Sequence, residues 1–168
     1  MPSRKAGNPS GSGATPAIRT LDRAGVAYTL HPYVHDPRAA SYGLEAAHEL
    51  GIPVARVFKT LMVEADGRLV VAVVPVSGSL DLRALARALG TRRAAMAEPS
   101  AAERATGYVV GGISPLGQKR QHPTVLDSSA LDHETVLVSA GRRGLDIELA
   151  AAELVTLTSA TVAPIALG

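Results

Sequence analysis

Hydrophobic and polar positions along the chain fall into short runs whose period keeps switching between that of a helix and that of a strand. Thr15-Pro16 supplies a cap and a first-turn proline, and the segment carrying Ile18 and Leu21 stops at Gly25, which predicts a first helix. Ala27–His31 reads as a strand. A second helix is predicted from Ser41, with Leu44, Ala47 and Leu50 facing inward, ending at Gly51 with Pro53 just beyond. Phe58–Glu64 and Arg68–Val74 are two apolar runs joined around Asp66-Gly67, a strong hairpin signal. Ser79 is the expected cap of a helix whose stripe is Leu82, Leu85, Ala86 and Leu89, closed by Gly90. Ser100-x-x-Glu103 reads as a capping box that opens a short helix ending at Gly107. Strands follow near Thr124–Leu126, Glu134–Ser139 and Leu145–Leu149, then a helix over Ala150–Leu157 and a last strand over Thr161–Ile165.

Strands interleaved with short helices, hairpins included, predict an α/β fold of the α+β type built on a mixed sheet, not a doubly wound parallel one. Residues 15–168 hold no internal repeat and no linker, so they are expected to form a single domain. Residues 1–14 are small, polar and glycine-rich and are expected to be a flexible tail. That tail lacks the apolar core of a secretory signal, and no later run is long enough to span a membrane, so a cytoplasmic location is expected.

Charge and cysteine content narrow the chemistry. Two of the 17 Lys and Arg, Arg4 and Lys5, lie in the tail, and the other 15 balance all 15 Asp and Glu. A domain that grips nucleic acid by its own field normally carries a basic surplus. Here positive charge is local, in Arg92-Arg93, Lys119-Arg120 and Arg142-Arg143, two of these pairs beside glycine loops, which suggests a phosphate-facing rim. With no cysteine in the chain, disulfides, enzyme-thiolate catalysis and thiolate-bound zinc are excluded.

Residues 107–119, GYVVGGISPLGQK, hold four glycines and a Ser-Pro step, the composition of a loop shaped to hold an oxygen-rich group. Gly111 and Gly112 allow close backbone approach with bare N–H groups, and Pro115 restricts Ser114 to extended backbone. Strand alternation puts Lys59 on one face with Leu61 and Val63, near the open end of its hairpin. A lysine so placed must reach the rim, pair with an acid or lose its proton. A tight turn after Ser139 brings that serine opposite Asp146, for which binding and structural roles are both open, whereas Glu148 reads as part of a solvated strand face. His31 and His35 lie in a strand-to-loop segment whose spacing does not align two imidazoles, and the other histidines are scattered, so no metal is assigned. Neither Ser114 nor Ser139 sits in a nucleophile elbow, and the glycine loop is not a nucleotide fingerprint.

The segments YVHDP at 33–37, VFKTLMV at 57–63, VAVVPVSGSLDL at 71–82, ATGYVVGGISPLGQK at 105–119 and VSAGRRGLDIELA at 138–150 carry a specific resemblance. Over about residues 15–165 the chain resembles the YbaK-type Cys-tRNA(Pro) deacylases, relatives of the editing domain inserted in bacterial prolyl-tRNA synthetases. The resemblance implies a mostly antiparallel mixed sheet curling toward a barrel, with helices outside. It implies deacylation of mischarged Cys-tRNA(Pro) without a cofactor, with aminoacylated tRNA and prolyl-tRNA synthetase as partners. By motif, the family's essential lysine falls on Lys59, followed by Thr60, its pocket tyrosine on Tyr33, its glycine-loop contact on Gly111, and its serine and aspartate on Ser139 and Asp146.

Lys59, Gly111 and Asp146 are therefore the expected catalytic residues, and Tyr33, Tyr42, Thr60, Gly112, Ser114 and Ser139 the expected substrate contacts. Ser41-Tyr42-Gly43 departs from the family's usual Asn-Phe-Gly and adds a phenol hydroxyl to the pocket wall. Two other readings compete: a deacylase for Ala-tRNA(Pro) or another small amino acid, and a non-catalytic module that senses aminoacyl-tRNA or a nucleotide.

Overall fold

The computed structural model describes residues 14–168, so the tail expected over residues 1–14 lies, apart from Ala14, outside the described residues. In chain order the elements are α1 (Pro16–Ala24), β1 (Tyr28–Pro32), α2 (Tyr42–Leu50), β2 (Phe58–Ala65), β3 (Arg68–Pro75), β4 (Ser79–Leu80), α3 (Leu82–Leu89) and β5 (Ala94–Met96). They continue with α4 (Pro99–Thr106), β6 (Thr124–Asp127), β7 (Thr135–Arg142), β8 (Leu145–Ala150), α5 (Ala151–Thr158), β9 (Thr161–Ala163) and β10 (Ala166–Leu167). Local chemistry fixes several ends: the Thr15 hydroxyl accepts from Ile18 N–H at 3.1 Å and that of Ser41 from Leu44 N–H at 3.3 Å. Gly25, Gly51 and Gly90 close α1, α2 and α3 in the left-handed region.

Five strands form a mixed sheet in the order β5-β2-β3-β6-β9, in which β3–β6 and β6–β9 are parallel and the other pairs antiparallel. A second, antiparallel sheet has the order β1-β8-β7, and β4 pairs with β10. The two larger sheets meet where Val57, just before β2, bridges Leu137 of β7 in parallel. One core lies where they face each other, with Phe58 and Met62 of β2, Val138 of β7, Ile147 of β8 and Ile18 and Leu21 of α1 all buried. The other face of the β2–β3 hairpin packs Val63, Val70, Ala72 and Val74 against Leu85 of α3. Burial on both faces explains why β3 reads as one continuous apolar run instead of alternating.

Several helix starts differ from the pattern-based expectation. Asp81, not Ser79, caps α3, accepting from Arg83 and Ala84 N–H at 3.1 Å each, while Ser79 pairs with Leu167 in β4. The Ser100/Glu103 box does not form: α4 begins at Pro99, and the Glu103 carboxylate instead accepts from Val110 N–H at 2.8 Å. Leu44 does not face inward, since α2 buries Ala46 and Ala47 and leaves Leu44 48% exposed. The expected last strand splits, because Asp127 draws Ile165 and Ala166 N–H to its carboxylate and redirects the chain toward β4. Edge strand β5, the run Ala94-Ala95-Met96, was not expected, because two of its three residues are alanines with little strand propensity.

Candidate active site

The meeting point of the two sheets opens into a cavity of about 370 Å³, near the lower end for small-ligand pockets. The start of β2 supplies Lys59 and Thr60, and the β7–β8 hairpin supplies Ser139 and Asp146, paired directly across the ladder. Tyr33 follows β1, Tyr42 opens α2, and Gly111 comes from the glycine loop. Seven of the nine expected site residues thus line one cavity.

Gly112 and Ser114 are not among its lining residues. A Cβ at Gly112 would meet the Arg142 backbone at 2.7 Å, so this glycine lets two loops pack together. Ser114 is fully buried, and its hydroxyl accepts from Leu116 N–H at 3.2 Å inside the loop.

The loop's ends are drawn together by Lys119 N–H donating to the Thr106 carbonyl at 2.9 Å, and the Tyr108 hydroxyl braces its middle by donating to the Leu116 carbonyl at 2.6 Å. Gly111 sits in the left-handed region at φ 91°, where a Cβ would lie 2.8 Å from the Tyr42 ring and 2.9 Å from Arg143 Nε. No side chain fits there. Arg143 then pins the loop, donating from Nε and Nη2 to the Val110 carbonyl at 2.9 and 2.6 Å while its guanidinium lies 5.0 Å over the Tyr42 ring. Tyr42 also meets the His35 ring, centroids 5.6 Å apart, and His35 Nδ1 contacts Glu45 Oε1 at 2.8 Å. The extra phenol of Tyr42 therefore belongs to a ring in contact with two nitrogen-bearing groups. Arg143 and His35 were not expected at the site, and only their tertiary partners distinguish them from ordinary turn residues.

The polar groups that face the cavity are poorly satisfied. Asp146 is only 6% exposed, and among the described residues nothing donates a hydrogen bond to its carboxylate. Burial pushes its pKa up to about 7. The Tyr33 hydroxyl is pushed up to about 12, first by burial and then by the Asp146 charge. Thr60 Oγ1 is buried without a partner. Lys59 forms no ion pair and Gly111 N–H donates to no acceptor among the described residues. The Ser139 hydroxyl accepts from Gly141 N–H at 3.1 Å, which leaves its proton free to donate. Buried polar groups normally find partners, so a cluster of unmatched ones marks a place for a ligand. A cation, a bare N–H, two hydroxyls and a carboxylate can together hold an ester carbonyl at one end and an ammonium at the other.

Glu148, two residues further along β8, behaves differently from expectation. Its side chain is 24% exposed but not a plain solvated group: its carboxylate receives Thr135 Oγ1, Arg56 Nη2 at 2.8 Å and His31 Nε2 at 2.8 Å. Burial acts to raise its pKa, but the hydrogen bonds from Thr135, His31 and Arg56 outweigh that and hold it below the usual range. His31 and His35 are thus each taken up by a carboxylate, and the described residues contain no group of three or more His, Cys, Asp or Glu able to hold a metal. Nor is any described helix long and apolar enough to cross a membrane.

Known proteins resemble this chain over most of its length. The model of the aminoacyl-tRNA editing domain family matches residues 36–157. EbsC of Enterococcus faecalis, provisionally named a Cys-tRNA(Pro)/Cys-tRNA(Cys) deacylase, is 38% identical over 152 residues, 90% of this chain and 92% of that protein. A proline–tRNA ligase of Acidithiobacillus ferrooxidans is 37% identical over 87 residues, 52% of this chain and 15% of the ligase. The crystal structure of a protein provisionally described as a trans-editing enzyme for prolyl-tRNA synthetase superposes with a TM-score of 0.82 at 25% identity, covering 97% of this chain and 100% of that one. The family model over residues 36–157 and the 38% identity to EbsC across 90% of the chain lead to one assignment: the chain belongs to the aminoacyl-tRNA editing domain family.

Proposed function

We propose that this protein is a trans-acting deacylase that clears cysteine from mischarged tRNA(Pro) in the cytoplasm, with prolyl-tRNA synthetase as its partner. One observation carries the reading: Lys59, Gly111 and an unpaired Asp146 line the same small cavity. The name of EbsC supports the choice of cysteine, and the likeness to a stretch of a proline–tRNA ligase supports the link to proline. Cysteine and proline are close in size, and a synthetase pocket rejects a near-isostere poorly, so such clearance answers a physical need.

The chain has no thiol of its own, and the reaction uses the substrate's. The cysteinyl sulfur gives up its proton and attacks its own ester carbonyl. The bond from that carbon to the terminal ribose oxygen breaks, the oxygen takes a proton, and the released thiolactone is opened by water to free cysteine. Gly111 N–H supports the oxyanion, a donor whose loss typically costs about 3–4 kcal/mol. Lys59 stabilises negative charge at the ester or the terminal phosphate, with Thr60 beside it. Asp146 and Ser139 hold the α-ammonium, and Tyr33 and Tyr42 wall the side-chain end.

Deacylation of Cys-tRNA(Pro) by Lys59→Ala tests the assignment, with a loss of about 100-fold or more expected from removing a preorganised charge. Near-normal turnover removes Lys59 from the mechanism. Replacing cysteine by serine on the same tRNA should abolish turnover, and equal rates would mean that water attacks the ester directly.

A further inference from the structure

Behind α4 lies a second cavity, of about 750 Å³, that plays no part in the chemistry above. Its cationic lining comes from three separate parts of the chain: Arg68 at the start of β3, Arg104 on α4, and Lys119 and Arg120 after the glycine loop. All four are exposed, and none pairs with a carboxylate among the described residues. The groove's lining contains no Asp or Glu. Glu103, the acid of α4 next to Arg104, turns to the other side of the helix, where it accepts from Val110 N–H. Asp66, next to the lining residue Gly67, has its carboxylate taken up by Arg92 and Arg93 N–H at 2.9 and 3.0 Å.

Position relative to the first cavity is what gives this groove meaning. Ala102 and Pro99 of α4 line the candidate active site, while Ala101, Arg104 and Ala105 line the groove, so a single helix separates the two. A helix with its side chains is about 10–12 Å across. A polar path also ties the groove to the glycine loop that carries Gly111: His122 in the groove meets Gln118 Oε1 through Nδ1 at 2.8 Å, and Gln118 Nε2 donates to the Ser114 carbonyl of that loop at 3.0 Å. Burial, then the neighbouring Arg120, lowers the His122 pKa, so this ring offers a hydrogen bond and not a further charge.

Resting on the deacylase reading, we infer that this groove binds the sugar-phosphate backbone of the tRNA whose aminoacyl end occupies the first cavity. Arg68, Arg104, Lys119 and Arg120 are its phosphate contacts. The 15 Lys and Arg beyond the tail only balance the 15 acids, so the grip comes from how the charge is placed and not from any surplus. Phosphate contacts carry affinity and register without sequence information, so the groove holds any tRNA and leaves identity to another component.

Binding of bulk uncharged tRNA, measured by fluorescence anisotropy over a salt series, tests the groove independently of any deacylation. The variant Arg68→Ala/Arg104→Ala/Arg120→Ala should weaken binding about tenfold or more at low salt and reduce the log–log salt slope by about 2–3. A control, Arg23→Ala/Arg83→Ala/Arg87→Ala, removes the same charge from exposed positions outside the groove and should bind like the parent. Unchanged affinity in the groove variant, equal loss in both variants, or no binding by the parent at low salt overturns the inference. So does intact tRNA binding with loss of prolyl-tRNA synthetase binding, which would make the groove's partner an acidic protein surface. If no charged tRNA is turned over by the parent, the deacylase reading fails while the binding result still decides the groove. Where both hold, the groove variant should raise KM for aminoacyl-tRNA and leave kcat, and turnover of a 3′-aminoacyl-adenosine, unchanged.

Discussion

Two aspartates, Asp127 at the end of β6 and Asp146 on β8, are buried to nearly the same degree, 5% and 6% exposed, yet live opposite lives. Asp127 is surrounded by donors: Ile165 and Ala166 N–H at 2.8 and 2.9 Å on one oxygen, Ser129 N–H and hydroxyl on the other. Asp146 faces a cavity and receives none among the described residues. Burial of a carboxylate is therefore no guide to its role by itself. What separates a structural acid from a binding one is whether the fold has supplied its partners or left them to a ligand.

Removing each carboxylate should therefore move stability in opposite directions, and the larger effect belongs to Asp127. Asp127→Ala strands three backbone N–H groups and a hydroxyl that now reach a charged acceptor, each such bond contributing about 1.5–3 kcal/mol. Because the bonds share one residue and are not additive, a net loss of about 4 kcal/mol is expected, lowering Tm by about 8–16 °C for a chain of this size. Thermal melts check this. A loss under about 1 kcal/mol would mean that the C-terminal strands hold without their anchor.

Asp146→Asn should do the reverse. It removes a carboxylate with no donor, so Tm should rise by a few degrees at neutral pH, while deacylation falls about 100-fold through loss of the ammonium contact, the scale on which truncating a buried charge pair acts. The sign of the pH dependence follows from burial lifting the Asp146 pKa from 3.8 to about 7. Between those values the unfolded chain releases a proton that the folded one keeps, so the Asp146 contribution to stability is fully present at or below about 3.8 and declines as pH rises to about 7. The Asn variant lacks that decline, so its advantage should be largest above pH 7 and vanish near pH 4. For the same reason kcat/KM of the parent should drop tenfold per unit below about 7, where the free carboxylate is lost. Destabilisation by Asp146→Asn at pH 8 would show that the fold does supply this group with a partner.

How far the sequence distinguished these two acids shows what kind of information it holds. Features set by neighbours in the chain were legible: the Asp66-Gly67 hairpin, the caps at Thr15 and Ser41, and the pairing of Ser139 with Asp146 across a short turn. Features set across the fold were not. Asp127 followed by two serines suggests at most a local turn, and nothing near it announces that Ile165 and Ala166 will reach its other oxygen. Ser79 and Ser100 look like caps until Asp81 and Pro99 take those positions, and Leu44 fits a helical stripe that the fold leaves in solvent. The site motifs could be placed on this chain because they resemble a known family. Spacing alone put Ser114 and Gly112 beside Gly111, and the structure turns both away from the lining. Arg143 shows the same limit, since its contact with Tyr42 joins segments distant in the chain, and His35 meets Tyr42 only through the path of the loop between β1 and α2.

Thr60 offers the finest version of the contrast, because its hydroxyl is neutral and its removal barely changes shape. Thr60 Oγ1 is buried beside Lys59 with no partner, as the Asp146 carboxylate is, but without a charge to desolvate. Thr60→Val keeps the branched β-strand side chain and removes only the unmatched oxygen, so the folded state should gain about 1 kcal/mol, or about 2–4 °C in Tm. If the hydroxyl is there for the ester end of the substrate, the same change should raise KM or lower kcat about five- to tenfold, the worth of one neutral hydrogen bond. A gain in stability with intact kinetics would assign Thr60 to packing alone and leave Lys59 as the only polar side chain β2 contributes to the chemistry. A loss of stability would mean that the oxygen has a partner in the folded protein, leaving Asp146 and Gly111 as the unmatched groups of the cavity.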